Sequence, residues 1–406
     1  MFSFPVAEEW KPRGFQTVMS DNEWRLFIPR GPASFPLLTD NCSLYTTYMD
    51  KKLRVAINGF GRIGRAFFKV ALAHPDIEIV AVNDLGDVHN LAYLLQYDTV
   101  YRVSSFDVHA EIHEESKEQY LVIEGDIDMK VKVVQEKDPN LLPWKSMEID
   151  VVVESTGLFT TYDKAQAHIT AGAKHVVISA PAKDGVDTTV LGETILMGVN
   201  EEKFGTCTIT SNASCTTNAS SPLIAILDET LGIEKAILNT VHAYTASQSI
   251  VDGPNKKDFR EGRAAAQNIV PSSTGAAIAV TKAFTKLTGL FDGISMRVPV
   301  PAGSIVDVTF ISKKETTVEE VNKILTEASR INRWKDIFTV TEEELVSSDI
   351  LGLPFASIAD LKMTRVVGGN LVKVLAWYDN EMGYTHTLVA HVLKAGKTIQ
   401  TVDSRL

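Results

Sequence analysis

The stretch Ser211-Asn212-Ala213-Ser214-Cys215-Thr216-Thr217-Asn218 holds the residue types from which a nucleophile is made. An apolar, β-branched run from Thr206 to Thr210 precedes it, and a helical pattern through Leu223-Ile224-Ala225-Ile226-Leu227 follows. A strand is therefore expected to end where a helix begins, with Cys215 at the junction. The unpaired N–H groups and positive dipole end of that helix favour a thiolate over a thiol. Ser214 and Thr216 can cap the helix and also hold an anion. A lone cysteine in such a setting is ordinarily a small buried hydrophobe, so the chemical reading rests on what else the chain supplies.

A thiolate needs a base or a cation beside it. Of the nine histidines, His242 stands apart: it ends the apolar run Ile237 to Val241 and opens a hydroxyl-rich turn, Tyr244-Thr245-Ala246-Ser247. Ser272-Ser273-Thr274-Gly275 opens a second helical stretch, Ala276 to Lys282, and offers another anion nest. Arg297 closes an apolar strand in Ser295-Met296-Arg297-Val298-Pro299, where it is either a surface charge or a bidentate phosphate clamp. Arg260 and Arg263 lie in a polar loop, where solvation is the default reading.

The elements that position these groups begin upstream. Leu53 to Ile57 reads as a buried strand, Asn58-Gly59-Phe60-Gly61-Arg62-Ile63-Gly64-Arg65 as a glycine-rich turn, Ala66 to Ala73 as a helix and Ile77 to Val82 as a second strand ended by Asn83-Asp84. This is a βαβ unit that binds a dinucleotide: Gly59, Gly61 and Gly64 let backbone approach a pyrophosphate, and the helix N-terminus faces it. Asp84 falls 20 residues after Gly64, where a carboxylate binds the ribose hydroxyls and repels a 2′-phosphate, so NAD is expected rather than NADP. Val131 to Val134, Val151 to Val153 and Val176 to Ile178 continue the strand series. Ser155, Thr156, Gly157, Phe159 and Ser179 follow strand ends and are further cofactor candidates or plain turn residues.

After Cys215 the βαβ pattern stops. Ala236 to Val241, Gly293 to Val298, Ile305 to Ile311 and Leu371 to Trp377 read as strands, and Thr317 to Ser329 as a helix. The expected fold is α/β: an N-terminal Rossmann-type doubly wound NAD-binding domain over 50–214, then an α+β catalytic domain with a mixed sheet over 215–378. The helical stretch Thr385 to Gln400 has no place in either domain from pattern alone.

Bulk properties narrow the classes. The 406 residues suit two domains, with 45% hydrophobic and 22% charged residues as in globular proteins. A formal charge of −11 argues against general nucleic-acid binding. Cys42, Cys207 and Cys215 form neither a disulfide framework nor a zinc-ligand spacing, so no metal is expected and a reducing cytoplasm is the natural location. No apolar run is long enough to span a bilayer. Residues 1–49 are an extension without clear periodicity, rich in Phe and Trp; Met49 is the expected start of the folded chain, and Glu8, Glu9, Asp21 and Glu23 count against a transit peptide.

Over Lys51 to about Gln400 the chain resembles phosphorylating glyceraldehyde-3-phosphate dehydrogenase. The resemblance is carried by the glycine turn Ile57 to Arg65, Ala213-Ser214-Cys215-Thr216-Thr217-Asn218, His242-Ala243-Tyr244-Thr245, Ser273-Thr274-Gly275-Ala276-Ala277, Arg297-Val298-Pro299 and Trp377-Tyr378-Asp379-Asn380-Glu381. It implies Cys215 as nucleophile and His242 as general base. It implies Thr245 and Arg297 around the substrate phosphate, and Ser214, Thr216, Thr274, Gly275 and Arg260 around inorganic phosphate. Arg62, Ile63, Asp84, Lys137, Ser179 and Asn380 would contact NAD, with Asn380 orienting the nicotinamide amide. A homotetramer is implied, using the loop after His242, and so is a C-terminal helix, 379–406, packed against the nucleotide domain. Two positions depart from the family pattern: Ala219 stands where a second cysteine is frequent, excluding an active-site disulfide, and Met382 stands where tryptophan is usual. The expected reaction forms a Cys215 thioester that phosphate cleaves to 1,3-bisphosphoglycerate. Erythrose-4-phosphate dehydrogenase, which hydrolyses its acyl intermediate, and a catalytically silent NAD-binding, redox-responsive protein are the competing readings.

Overall fold

The computed structural model describes residues 51–183, 189–256 and 258–403. The extension before Met49 lies outside the described residues.

Two sheets organise the chain. The first has nine strands in the spatial order 193–194, 209–211, 175–178, 151–154, 53–58, 77–83, 129–134, 119–124 and 107–112. The seven strands from 193–194 to 129–134 run parallel; Gln119–Glu124 and Asp107–Ile112 add an antiparallel margin. Leu53–Asn58 sits centrally, with the next strand, Ile77–Asn83, on one side and Val151–Glu154 on the other. The winding reverses at that point, so a crevice opens beyond the carboxyl ends of the strands, where such sheets bind ligands. The central strands are buried on both faces and read as continuous Val/Ile runs for that reason.

The second sheet has eight strands and is mixed. Ile233–Ala243 runs parallel to Phe291–Val298 on one side and antiparallel to Ser304–Ser312 on the other. Ser304–Ser312 alternates buried and half-buried residues, the period-two signature of a sheet covered on one face. That face packs on the helices Cys215–Thr230, Ala276–Ala283 and Val318–Ala328 in one apolar core. Ala219 belongs to this core and is fully buried, so the small side chain there is a packing position.

The structure moves several expected boundaries. The strand before Cys215 is Ile209–Ser211, three residues later at its start than the apolar run indicated, because 205–208 form a turn and its exit. His242 lies within its strand, which continues to Ala243. The last helix is Met382–Asp403. Its Met382, Leu388, Val389, Val392 and Leu393 share a core with Leu53, Val55 and Phe67 of the first sheet layer. The helix also buries Thr385, Thr387 and His391, so it lacks the one-sided apolar stripe from which its location could be read. Among the described residues no helix is long and apolar enough to cross a membrane.

Candidate active site

Strand Ile209–Ser211 ends at the carboxyl edge of the first sheet, and after three residues, 212–214, the chain enters the helix Cys215–Thr230. Ser214 is its N-cap: the side-chain oxygen accepts from the Thr217 N–H at 3.1 Å. Cys215 is thus the first helical residue, at the positive dipole end. His242 arrives from the other sheet. Parallel pairing sets it opposite Arg297, so register alone brings the imidazole and the guanidinium to neighbouring positions.

The Cys215 Sγ lies 3.3 Å from His242 Nε2. His242 Nδ1 is 2.7 Å from the Ala243 carbonyl oxygen, which can only accept. Nδ1 therefore carries the proton of the neutral ring, and the bare lone pair of Nε2 faces the sulfur. Tyr378 packs edge-on against the imidazole, with ring centroids 5.9 Å apart. Its hydroxyl sits between Thr216 Oγ1 at 2.9 Å and Thr240 Oγ1 at 2.7 Å. The sequence reading missed Tyr378 as a site residue, although it lies in a quoted motif, because nothing local shows that its ring meets a histidine 136 residues earlier.

Burial acts on both partners. It lowers the His242 pKa to about 3, with the Arg297 charge adding to the effect. It pushes the Cys215 thiol up, against the pull of Arg297 and the Thr216 backbone N–H. Both shifts favour the neutral pair, so across the neutral range the thiol keeps its proton and faces the Nε2 lone pair at 3.3 Å.

The anion-binding candidates divide. Thr245 Oγ1 lies 3.1 Å from Ser247 Oγ in the turn after the histidine strand. Arg297 makes one long bond to the Ala243 carbonyl, 3.5 Å, and its Nε has no partner among the described residues. Thr274 accepts from the Ala276 N–H at 3.2 Å, and Gly275 is the N-cap of Ala276–Ala283, with open space where a side chain would stand. Arg260 is engaged within its own loop. Its guanidinium is 62% exposed and held by Asp258, whose carboxylate also accepts the Arg260 backbone N–H at the start of the short helix Phe259–Gly262. The adjacent Glu261 turns inward instead and accepts the Ser272 hydroxyl at 2.8 Å.

The glycine turn fits a dinucleotide. At Gly59, φ is +93°, and an added Cβ would stand 2.6 Å from the Thr156 nitrogen; at Gly64 it would stand 2.2 Å from the Gly59 carbonyl oxygen. Gly61 has no such neighbour, so space lies open over the turn. Helix Arg62–Ala71 has no side-chain cap, which leaves its first amides, those of Arg62 and Ile63 included, for a ligand. The Arg62 side chain is engaged elsewhere: Nε donates to Glu381 Oε1 at 2.8 Å, Nη2 bonds Glu381 Oε2 and Nη1 bonds Asp98 Oδ2 at 2.5 Å. Asp84 accepts the Phe60 N–H at 2.7 Å and the Gly86 N–H at 2.8 Å, bracing the turn from the neighbouring strand end. Asn380 is 6% exposed; its Oδ1 accepts from Gly303 N and Ser304 Oγ, both at 3.1 Å, which leaves the amide NH₂ to donate. Ser179 is half-buried at the end of strand His175–Ile178, and Lys137 is exposed beyond strand Met129–Val134. Ser155 and Thr156 are committed to the turn, Ser155 Oγ to the Gly59 carbonyl at 2.7 Å and Thr156 to Glu154. Beneath them lies a buried set without a sequence signal: Glu154 bonds Asn58 Nδ2 and His168 Nε2, and the Trp144 indole N–H donates to His168 Nδ1 at 3.1 Å.

Comparison with known proteins agrees with this geometry. Residues 53–162 match the model described as the glyceraldehyde 3-phosphate dehydrogenase NAD binding domain, and residues 214–380 match the C-terminal domain of the same enzyme. The chain belongs to the glyceraldehyde-3-phosphate dehydrogenase family. A protein of that name from Clostridium pasteurianum is 46% identical over 340 residues, 83% of this chain and 96% of its own length. One from Colletotrichum lindemuthianum is 45% identical, covering 84% of this chain and 98% of its own, and one from Mycobacterium avium is 45% identical over 86% and 99%. Residues 53–162 are accordingly an NAD-binding domain, and the uncapped helix at Arg62 is part of it.

Proposed function

We propose that this chain oxidises glyceraldehyde 3-phosphate, using NAD and inorganic phosphate, to 1,3-bisphosphoglycerate through a thioester on Cys215. The 3.3 Å contact between Cys215 Sγ and a His242 whose tautomer is fixed by the Ala243 carbonyl carries the reading. The sulfur adds to the aldehyde carbon, forming a C–S bond. Nε2 holds the thiol proton during attack, passes it on, and then removes the proton of the new hydroxyl as the carbonyl reforms. NAD, held by the glycine turn, Asp84 and Asn380, supplies the acceptor for the hydride that leaves that carbon. Phosphate then attacks the acyl carbon, the C–S bond breaks, and the sulfur regains its proton through Nε2. Amides at the start of the cysteine helix stabilise the oxyanion in both halves. Thr245 and Arg297 hold the substrate phosphate, and Ser214, Thr216, Thr274, Gly275 and Arg260 the attacking one, Arg260 by leaving its surface pairing with Asp258. Asp84 sets NAD above NADP.

Phosphate dependence of NADH formation tests the second half. Turnover of glyceraldehyde 3-phosphate should fall to a trace when phosphate is withheld. Full turnover without it would instead indicate hydrolysis of the acyl intermediate, as in the erythrose-4-phosphate enzyme. A homotetramer is part of the proposal: Ile237 and Ile294, on paired strands of the second sheet, are 58% and 48% exposed, and Phe259, in the loop after His242, is 87% exposed, apolar surface of the kind that subunits cover. Free thiols at Cys207 and Cys215 suit a reducing cytoplasm.

A further inference from the structure

Only Asn212, Ala213 and the capping Ser214 separate the first sheet from the cysteine helix. Ala213 is fully buried at φ +56°, a left-handed conformation unfavourable for a residue with a Cβ. Such a residue persists only where its surroundings over-determine it. Here its N–H donates to Ser211 Oγ at 3.0 Å and its carbonyl accepts the Tyr384 hydroxyl at 3.1 Å. Asn212 is held still more fully. Its N–H donates to the Ile178 carbonyl at 3.0 Å, its own carbonyl accepts from Asn218 Nδ2 at 2.7 Å, and its Nδ2 donates to Thr387 Oγ1 at 3.2 Å.

The remaining atom, Asn212 Oδ1, faces His391 Nδ1 at 3.2 Å. An amide oxygen only accepts, so His391 carries its proton on Nδ1. His391 Nε2 then accepts the Thr210 hydroxyl at 2.8 Å, and the Thr210 oxygen in turn accepts from His175 Nε2 at 2.9 Å. Burial holds both rings neutral, with pKa values of about 3 for His391 and about 4 for His175. Phe204 stands edge-on to the His391 ring at 4.9 Å and fixes its plane. A chain of one polarity therefore runs His175, Thr210, His391, Asn212, and ends three residues before the sulfur.

We propose that His391 is a positioning residue for Cys215: its Nδ1–H holds Asn212, and through Asn212 the left-handed turn that aims the sulfur at His242. The proposal rests on the reading of Cys215 as the nucleophile. His391 touches neither substrate nor cofactor in this account. Its effect is geometric, and a misplacement of about 1 Å at a reacting group costs on the order of 100-fold in rate.

Two substitutions separate positioning from bulk packing. Asparagine places an N–H near Nδ1 and can still hold Asn212; glutamine reaches the Nε2 position and cannot. His391→Gln should lower kcat, and the alkylation rate of Cys215 at pH 7, by about tenfold or more, with KM for NAD held within about twofold. His391→Asn should keep both rates within about threefold. If the glutamine variant does not fold, Tyr384→Phe, which removes only the hydroxyl on the Ala213 carbonyl, should show the same split between kcat and KM at smaller amplitude. Equal rates in the two His391 variants, or unchanged alkylation in both His391→Gln and Tyr384→Phe, would overturn the proposal. The reading beneath it fails by a different observation: turnover that survives Cys215→Ser.

Discussion

Two helices begin at the carboxyl edge of the first sheet, and their N-termini are built differently. The helix at Arg62 follows a turn of glycines, has no side-chain cap and leaves open space above Gly61. The helix at Cys215 follows a strained alanine, is capped by Ser214 and carries its sulfur at the first position. Both present unpaired amides and a positive dipole end. One is shaped to receive an anion that arrives with a cofactor; the other sets a thiol against the lone pair of an imidazole. The difference is set by side chains: the glycine turn leaves the first amides of one helix open, whereas Ser214 caps the other by accepting the Thr217 N–H.

Substitutions at each end sharpen the contrast. Cys215→Ser should cut turnover by about 10⁴-fold or more, with NAD binding and circular dichroism unchanged, because the nucleophile is lost and the fold is not. His242→Asn should lower kcat by roughly 10²- to 10⁴-fold. It should also change the alkylation profile. With Nε2 3.3 Å from the sulfur and able to take its proton during attack, the reacting pair keeps the same protonation across the neutral range, so the alkylation rate should be flat from pH 5 to 8. The asparagine variant should instead lose about tenfold per unit as pH falls through that window. A wild-type rate with that same slope would show that the two groups titrate independently.

Effects at the other helix should be smaller and confined to the cofactor. Gly64→Ala places a methyl 2.2 Å from the Gly59 carbonyl and should weaken NAD binding by about tenfold, at a stability cost of about 1–3 kcal/mol, while alkylation of the cofactor-free enzyme stays within twofold. Loss of thiol reactivity in that variant would mean that the two N-termini are not independent. Ser214→Ala should cost about 1 kcal/mol in denaturant unfolding, the ordinary value of a cap, and a null result there would assign Ser214 to phosphate alone.

Much of this was legible in the residues. The strand–turn–helix–strand order at Leu53 to Asp84 exposes its logic locally, because buried parallel strands are continuous apolar runs and glycine marks the turn. Cys215 and His242 were legible as candidates, and the family resemblance joined them. Three things were not. The antiparallel strands Asp107–Ile112 and Gln119–Glu124 carry charges on partly exposed faces and lack a clean period. Arg260 and Glu261 are neighbours in a short turn, and only the Asp258 cap decides which one points inward. Tyr378, Tyr384 and His391 act on residues more than 130 positions away, so their hydrogen bonds exist only once both sheets are assembled.

The engagement of Arg62 by Glu381 and Asp98 has one more consequence. A guanidinium held by two carboxylates belongs to a cluster of net charge −1 and offers no cation to a pyrophosphate that docks beside it. The attraction comes from peptide dipoles, which are part of the covalent frame. Cofactor capture at this turn should therefore weaken only slightly as ionic strength rises, because salt screens the neighbouring carboxylates' repulsion as well as the dipole's attraction.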